Sequence, residues 1–361
     1  MSCDEKKQAK EIESRLRKDQ DQYNCKMKQP RLLLLGSGDS GKTTFLKQIK
    51  VLHGGGFTDK ERRSYIDQIS NNLFDSMGEF LRAVIEYELE LSPNAQTSSQ
   101  ILSTFFRISK VSGEITINYP KLTKGIATHM DTVWKDPYIQ TLFNNTAHYK
   151  LCVQDTADYF FNRIFDIAED DYLPSENDII FSRSNTTNIS ETTILIEKVA
   201  YHFYDVGGQQ QYRKQWIPYF DNVNTIVFVA SLASFDQFLI EDSTINRMHD
   251  ALDLYDQICN HVLLKHIPIT LLLNKKDLFE KKFPTSNIQQ FFPDYNGRRE
   301  TDVKKAITYF QKKFLSQNTC PDKTVLCHIT CCTNTTTMRT LIETVLQRMV
   351  TSQLKKSGLI V

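Results

Sequence analysis

The segment Gly36-Ser37-Gly38-Asp39-Ser40-Gly41-Lys42-Thr43 constrains this chain more than any other. The apolar run Leu32-Leu33-Leu34-Leu35 precedes it, and Thr44-Phe45-Leu46-Lys47-Gln48-Ile49 follows. A buried strand, a glycine-bearing turn and a helix start are therefore predicted in that order. The match to G-x-x-x-x-G-K-[ST] is complete and stands in the context that gives the motif meaning. Glycines let the backbone curl with its N–H groups inward, where a polyphosphate can accept them. The helix N-terminus beyond adds the positive end of its dipole. Lys42 is expected to reach the β/γ-phosphates, and the Thr43 hydroxyl to ligate Mg²⁺. A nucleoside triphosphate is the predicted ligand.

With 361 residues the chain can build two domains and a substantial core. Its net charge of +1 gives no global pull toward nucleic acid. No apolar run approaches the roughly 20 residues of a membrane-spanning helix, and no secretory signal is visible. The 8 cysteines form no C-x-x-C pair. Cys152, Cys259 and Cys327 lie in apolar segments, which predicts buried free thiols and a reducing, intracellular setting.

Residues 1–28 mix charges densely, with Glu11–Arg15 and Glu13–Arg17 at i,i+4 spacing. A surface helix is expected there, a frayed polar tail being the alternative. Cys3 could carry a reversible palmitoyl chain; position 2 is Ser, so the N-myristoylation pattern is absent. After the phosphate loop a helix runs to about Leu52, and His53-Gly54-Gly55-Gly56 breaks it. Ile66, Ile69, Leu73, Met77, Phe80 and Val84 then recur at helical spacing. Helical stretches continue to about Ala168, with breaks at Ser92-Pro93-Asn94 and Asp136-Pro137 and a hint of strand at Gly113–Ile117. Residues 57–177 are predicted to form an inserted all-α domain. Residues 29–56 and 178–361 form an α/β nucleotide-binding domain around it. Its strands are expected at 32–35, 194–200, 201–206, 225–230, 269–273 and 325–330, with helices near 211–220, 241–258, 301–316 and 336–355.

Four further motifs carry chemistry. Asp205-Val206-Gly207-Gly208-Gln209 ends a strand; an Asp there holds Mg²⁺ through water, Gly208 offers its amide to the γ-phosphate, and Gln209 can orient an attacking water. Asn274-Lys275-Lys276-Asp277 follows the strand 269–273. The Asp277 carboxylate can accept from guanine N1–H and N2–H₂ together, a donor pair that adenine lacks. The Lys275 stem can lie across the base, and Asn274 can tie its loop to the phosphate loop. Thr330-Cys331-Cys332-Thr333 follows another strand and could present a backbone N–H to guanine O6. Arg183, with Thr186 three residues on, lies between the insert and the strand pair. Such a Thr can ligate Mg²⁺ when the γ-phosphate closes the loop, and such an Arg can neutralise charge on phosphoryl oxygens.

Taken together, these residues resemble the heterotrimeric G protein α subunit family over essentially the whole length. Trp216 and Asn246-Arg247-Met248-His249 extend the match. The resemblance implies a Ras-like GTPase domain with a mostly parallel six-stranded sheet and an inserted helical domain. It implies a GTP-hydrolysing switch that couples a seven-transmembrane receptor to effectors. Gly36 to Thr44, Asp155, Thr156, Arg183, Thr186, Asp205, Gly208, Asn274, Lys275, Asp277 and Cys332 would contact nucleotide. Thr43 and Thr186 would hold Mg²⁺ directly and Asp205 through water, while Gln209, Arg183 and Lys42 would serve hydrolysis of GTP to GDP. Implied partners are a Gβγ dimer, a receptor at the C-terminal helix, effectors, RGS-type regulators and the inner membrane surface, reached through Cys3. A guanine nucleotide-binding scaffold with negligible hydrolysis is the competing reading, and a P-loop kinase or ATPase a second. Departures from the family pattern concentrate at the site. Asp39 stands where Glu is usual, which shortens the reach toward Arg183. Asn188 replaces a glycine, Gln210-Gln211-Tyr212 replace a charged run, and Cys332 replaces Ala.

Overall fold

The computed structural model describes residues 29–108, 114–146, 148–184, 186, 189–221, 223–239, 241–242, 244–297 and 302–356. The expected N-terminal helix, Cys3, Asn188 and the last five residues lie outside them.

Eight strands are described: β1 (Arg31–Leu35), β2 (Phe106–Ile108), β3 (Ile115–Ile117), β4 (Ser190–Ile196), β5 (Val199–Asp205), β6 (Thr225–Ser231), β7 (Ile269–Asn274) and β8 (Val325–Ile329). Six of them form one sheet in the order β4-β5-β1-β6-β7-β8. Only β4 runs antiparallel to its neighbour. The central strands read as unbroken apolar runs because helices cover both faces, the usual condition of a parallel sheet. Alternate residues divide between two cores: Leu33 and Leu35 join Phe228, Leu271 and Tyr255 on one face, while Leu32 and Leu34 join Phe45, Ile49 and Val229 on the other.

A third apolar cluster draws all its fully buried members from residues 69–168 and shares none with the other two. Ile69, Leu73, Met77 and Phe80 face it from the helix Ile66–Glu86. Trp134 stacks on Phe161 at a 4.8 Å centroid distance, with Phe80 at 5.9 Å. The two breaks read from sequence are helix starts: Ser92 precedes the helix Pro93–Leu102, and the Asp136 carboxylate caps Pro137–Asn144 by accepting from Tyr138 N–H at 2.9 Å. The strand hint is β3, which pairs antiparallel with β2 and adds a two-stranded ribbon to this otherwise helical part.

Other boundaries differ from expectation. The β4–β5 turn sits at Glu197-Lys198, not beside Ala200, and both residues adopt positive φ (49° and 70°). That is the backbone of a tight hairpin turn without the Asn or Gly that usually signals one. The 241–258 helix begins only at Arg247, because Asn246 Oδ1 accepts from Met248 and His249 N–H and so caps it there. The segment near 211–220 forms 3₁₀ turns, Gln210–Gln215 and Ile217–Tyr219, rather than an α-helix. Of the three cysteines read as buried, Cys259 is, Cys327 is half-buried, and Cys152 is exposed. Among the described residues no helix is long and apolar enough to cross a membrane.

Phe80 is fully buried against Trp134, Phe143 and Phe161. Phe80→Ala should therefore cost about 3–5 kcal/mol. The expected readout is a lower urea midpoint for the nucleotide-loaded protein.

Candidate functional site

The carboxyl ends of β1, β5, β6, β7 and β8 point to one edge of the sheet, where such folds bind ligands. A cleft of about 290 Å³ opens there. Gly38 to Thr44 form one wall, Asn274, Lys275, Asp277 and Cys332 another, and Asp155, Thr156, Arg183, Thr186, Gly208 and Gln209 also line it. Gly36 and Ser37 lie deeper, at the root of the loop, and Asp205 lies buried beneath Thr43.

The loop turns back from β1 through Gly36, Asp39 and Gly41, all at positive φ. A Cβ on Gly41 would fall 2.3 Å from Asn274 Nδ2, which shows how closely the two loops approach. Asn274 Nδ2 donates to the Ser40 carbonyl at 2.9 Å, joining the loop after β7 to the phosphate loop as the sequence suggested. Asn274 Oδ1 accepts from Cys332 N–H at 2.8 Å. The amide assigned from sequence to guanine O6 is thus held by Asn274 in this structure.

Lys42 opens the helix Lys42–His53, and its Nζ donates to the Gly36 and Ser37 carbonyls at 3.0 and 2.8 Å. Burial lowers its pKa to about 8, against the opposing pull of Asp205. Gly208 packs on this ammonium; a Cβ there would stand 2.4 Å from Lys42 Nζ. Thr43 Oγ1 donates to Asp205 Oδ2 at 2.6 Å and lies 3.0 Å from Thr186 Oγ1. The other Asp205 oxygen is buried with no hydrogen-bond partner, and burial raises the pKa of this carboxyl. Two hydroxyls and a half-satisfied carboxylate are hard oxygen donors, the set that Mg²⁺ prefers. The residues present fit that ion.

Asp39 does meet Arg183, at 3.7 Å, but shares its carboxylate with Lys275 at 3.3 Å and Arg247 at 3.4 Å. Burial alone would raise its pKa; Lys275, Arg183 and Arg247 together hold it well below the usual carboxylate range. Arg247 also donates to the Gly38 carbonyl at 2.8 Å. Lys275 Nζ donates to Asp155 Oδ2 at 2.5 Å, bridging the cleft. Thr156, expected to face the ligand, donates its hydroxyl to the Phe181 carbonyl at 2.9 Å. Asp277 is exposed at the mouth, in the first turn of the helix Lys276–Lys282.

Sequence reasoning missed the pair that holds the segment after Gln209. Arg213 donates to the Gly208 carbonyl at 3.2 Å and grips both oxygens of the buried Asp250, which also accepts from Gln210 Nε2 at 3.0 Å. Trp216 Nε1 donates to the Gly207 carbonyl at 3.1 Å. An arginine four residues beyond Gln209 and an acidic first turn at 247–250 were the only signals, and neither names its partner.

Lys47 was also missed. It is buried, and its Nζ donates to the Ile179 and Ser182 carbonyls at 2.9 and 2.8 Å. Burial pushes its pKa down from 10.5 to about 7. Between those values the unfolded chain binds more protons than the folded one, so stability rises with pH across that window. The penalty is full below pH about 7 and relieved toward 10.5. Urea midpoints of the nucleotide-loaded protein at pH 7 and pH 9 should show that rise, and Lys47→Met should make it shallower.

A sequence model of the G-protein alpha subunit family matches residues 6–349. A guanine nucleotide-binding protein alpha-1 subunit from Neurospora crassa is 37% identical over 363 residues, covering 100% of this chain and 99% of that protein. A guanine nucleotide-binding protein subunit alpha from Emericella nidulans is 37% identical over 350 residues, covering 97% and 95%. One from Cryphonectria parasitica is 37% identical over 363 residues, covering 100% and 99%. With this match and the phosphate loop, Asp205–Gln209 and Asn274–Asp277 at one sheet edge, the chain belongs to the G-protein alpha subunit family of guanine nucleotide-binding GTPases.

Proposed function

We propose that GTP occupies the cleft with its phosphates on Gly36–Thr44 and its base against Asn274, Lys275 and Asp277, and that the loops at Thr186 and Gly208 report the γ-phosphate. One observation carries this reading: the Thr43 hydroxyl meets both Thr186 and Asp205. A phosphate-loop residue, the loop after Arg183 and the end of β5 thereby share one oxygen cluster. Whatever orders that cluster orders both loops at once.

Thr43 and Thr186 would hold Mg²⁺, with Asp205 acting through water. When bound, the ion neutralises charge on the phosphate oxygens. Lys42, held by the Gly36 and Ser37 carbonyls at the root of the loop, places its ammonium against the β/γ-phosphates. Gln209 orients the attacking water, and Arg183 offsets charge that develops on the γ-phosphoryl oxygens. Asp277 accepts from the guanine edge. Asp155, paired with Lys275, helps close the cleft over the nucleotide.

For partners, the family supports a heterotrimeric assembly in general terms. The finer reading is a Gβγ dimer, a seven-transmembrane receptor at the C-terminal helix Thr335–Lys356 and beyond, effectors and RGS-type regulators. Arg213–Asp250 keeps the altered Gln210–Tyr212 segment folded against the site, so its substitutions leave this part of the surface ordered.

Single-turnover hydrolysis of pre-bound GTP tests the catalytic roles. An arginine supplied to a phosphoryl-transfer site, in this family as in others, contributes about 10³–10⁵-fold. Arg183→Ala should lose activity on that order while still binding GTP, and Gln209→Leu should also be slow. A wild type no faster than these variants would leave only the scaffold reading.

At the membrane, Cys3 would carry an acyl chain that acts with the Gβγ partner at the cytoplasmic face of the plasma membrane. One chain alone binds weakly and reversibly. Cys3→Ser should move the protein from the membrane to the soluble fraction of a cell lysate; unchanged membrane recovery removes the acyl anchor.

A further inference from the structure

The side chain of Arg183 is loosely held. Its Nε lies 3.7 Å from Asp39 Oδ1, beyond hydrogen-bond distance, and that carboxylate is shared with two other cations. Its backbone, in contrast, is gripped. Asn72, on the helix Ile66–Glu86, is 7% exposed. Its Nδ2 donates to the Arg183 carbonyl at 3.0 Å, and its Oδ1 accepts from the Arg183 N–H at 2.9 Å. One side-chain amide thus pairs with both backbone groups of one residue, as a neighbouring strand would. The pairing also fixes the amide's orientation, since a flip would set donor against donor.

The residue before Arg183 is held from two directions. Gln68, one turn earlier on the same helix, donates Nε2 to Ser182 Oγ at 3.1 Å. Lys47, from the phosphate-loop helix, donates to the Ser182 carbonyl at 2.8 Å. The Ser182–Arg183 peptide is therefore fixed between the helix that starts at the phosphates and a helix outside the sheet. A long side chain with a weak restraint at its tip depends on where its backbone is placed.

We infer that Asn72 is a positioning residue for GTP hydrolysis: by clamping the Arg183 backbone, it sets where the guanidinium can meet the γ-phosphoryl oxygens. This rests on the role proposed above for Arg183. It makes the helix Ile66–Glu86 part of the hydrolytic apparatus rather than a cover over the nucleotide. Displacement of a catalytic group by about 1 Å can cost on the order of 10²-fold, so a lost clamp has a measurable effect.

A double-mutant cycle on single-turnover hydrolysis of pre-bound GTP tests it. The proteins are wild type, Asn72→Ala, Arg183→Ala and the double variant, with GDP release measured on each. Asn72→Ala should slow hydrolysis by about 10-fold or more, yet by less than about twofold when Arg183 is already absent. A merely structural role would instead raise GDP release and change hydrolysis by the same factor in both backgrounds. Either that equal factor or unchanged hydrolysis in Asn72→Ala overturns the inference. Arg183→Ala with wild-type hydrolysis would overturn the underlying reading instead, so the two failures are distinguishable. Should Asn72→Ala not retain GTP, Asn72→Asp carries the same cycle. It keeps the shape and the acceptor but turns a repelling oxygen on the Arg183 carbonyl, and a rate within about twofold of wild type sinks the proposal.

Discussion

The placement of β1 between β5 and β6 is the constraint on which the rest depends. Leu32 to Leu35 are fully buried, and their side chains alternate between two cores, so sliding the strand by one residue would put Arg31 or Gly36 where a Leu is buried. Its end is therefore fixed, and so is the start of the loop at Gly36. Parallel pairing delivers the ends of β5, β7 and β8 to the same edge. Residues far apart in the chain, Thr43, Asp205 and Asn274, then meet within hydrogen-bond distance of one another's loops. The site is a consequence of apolar burial that contains none of its chemistry.

Lys42, Arg183, Arg247 and Lys275 converge on the cleft among the carboxylates of Asp39, Asp155, Asp158, Glu241 and Asp277, with Asp205 buried beneath. Asp39 touches three of the four cations and holds none tightly. A shorter acid at this point suits that arrangement. At φ 55° it takes a left-handed turn that Asp tolerates better than most residues, and it sits centrally among its partners. A polyanion entering the cleft can draw on those cations without first breaking a strong bidentate pair. Arg213–Asp250 is such a pair, and it lies outside the cleft wall, where it holds backbone.

What the sequence made legible was local. Gly36–Thr43 and Asn274–Asp277 can be read because each motif's residues lie side by side at the end of an apolar strand. Asn246 could have been read as a cap, but the apolar pattern pulled the predicted helix six residues too early. The β4–β5 turn was illegible because Glu197 and Lys198 adopt positive φ without being turn formers. Cys152 shows how little one apolar neighbour on each side says about burial. Long-range polar pairing was legible only inside recognised motifs, as for Asn274 with the phosphate loop. Asn72 and Arg183 are 111 residues apart, Arg213 and Asp250 are 37 apart, and nothing in either local pattern selects the partner.

The polar character of the contacts around the cleft bears on how such a site can work. The cluster within 69–168 shares no buried residue with the two sheet cores. Between them run Lys275–Asp155 and the Asn72 clamp on Arg183. Water can replace hydrogen bonds of this kind at a net cost of about 0.5–1.5 kcal/mol each, or about 1.5–3 where a charge takes part. Separating two interlocked apolar cores would cost far more, because every exposed Å² adds about 25 cal/mol. Parting this seam of polar contacts therefore costs less than parting the apolar cores. On the proposed reading, the bonds that place Arg183 for hydrolysis lie on the same seam that must part for nucleotide to leave. Tightening the seam favours chemistry and loosening it favours exchange, so one set of contacts sets the balance between the two.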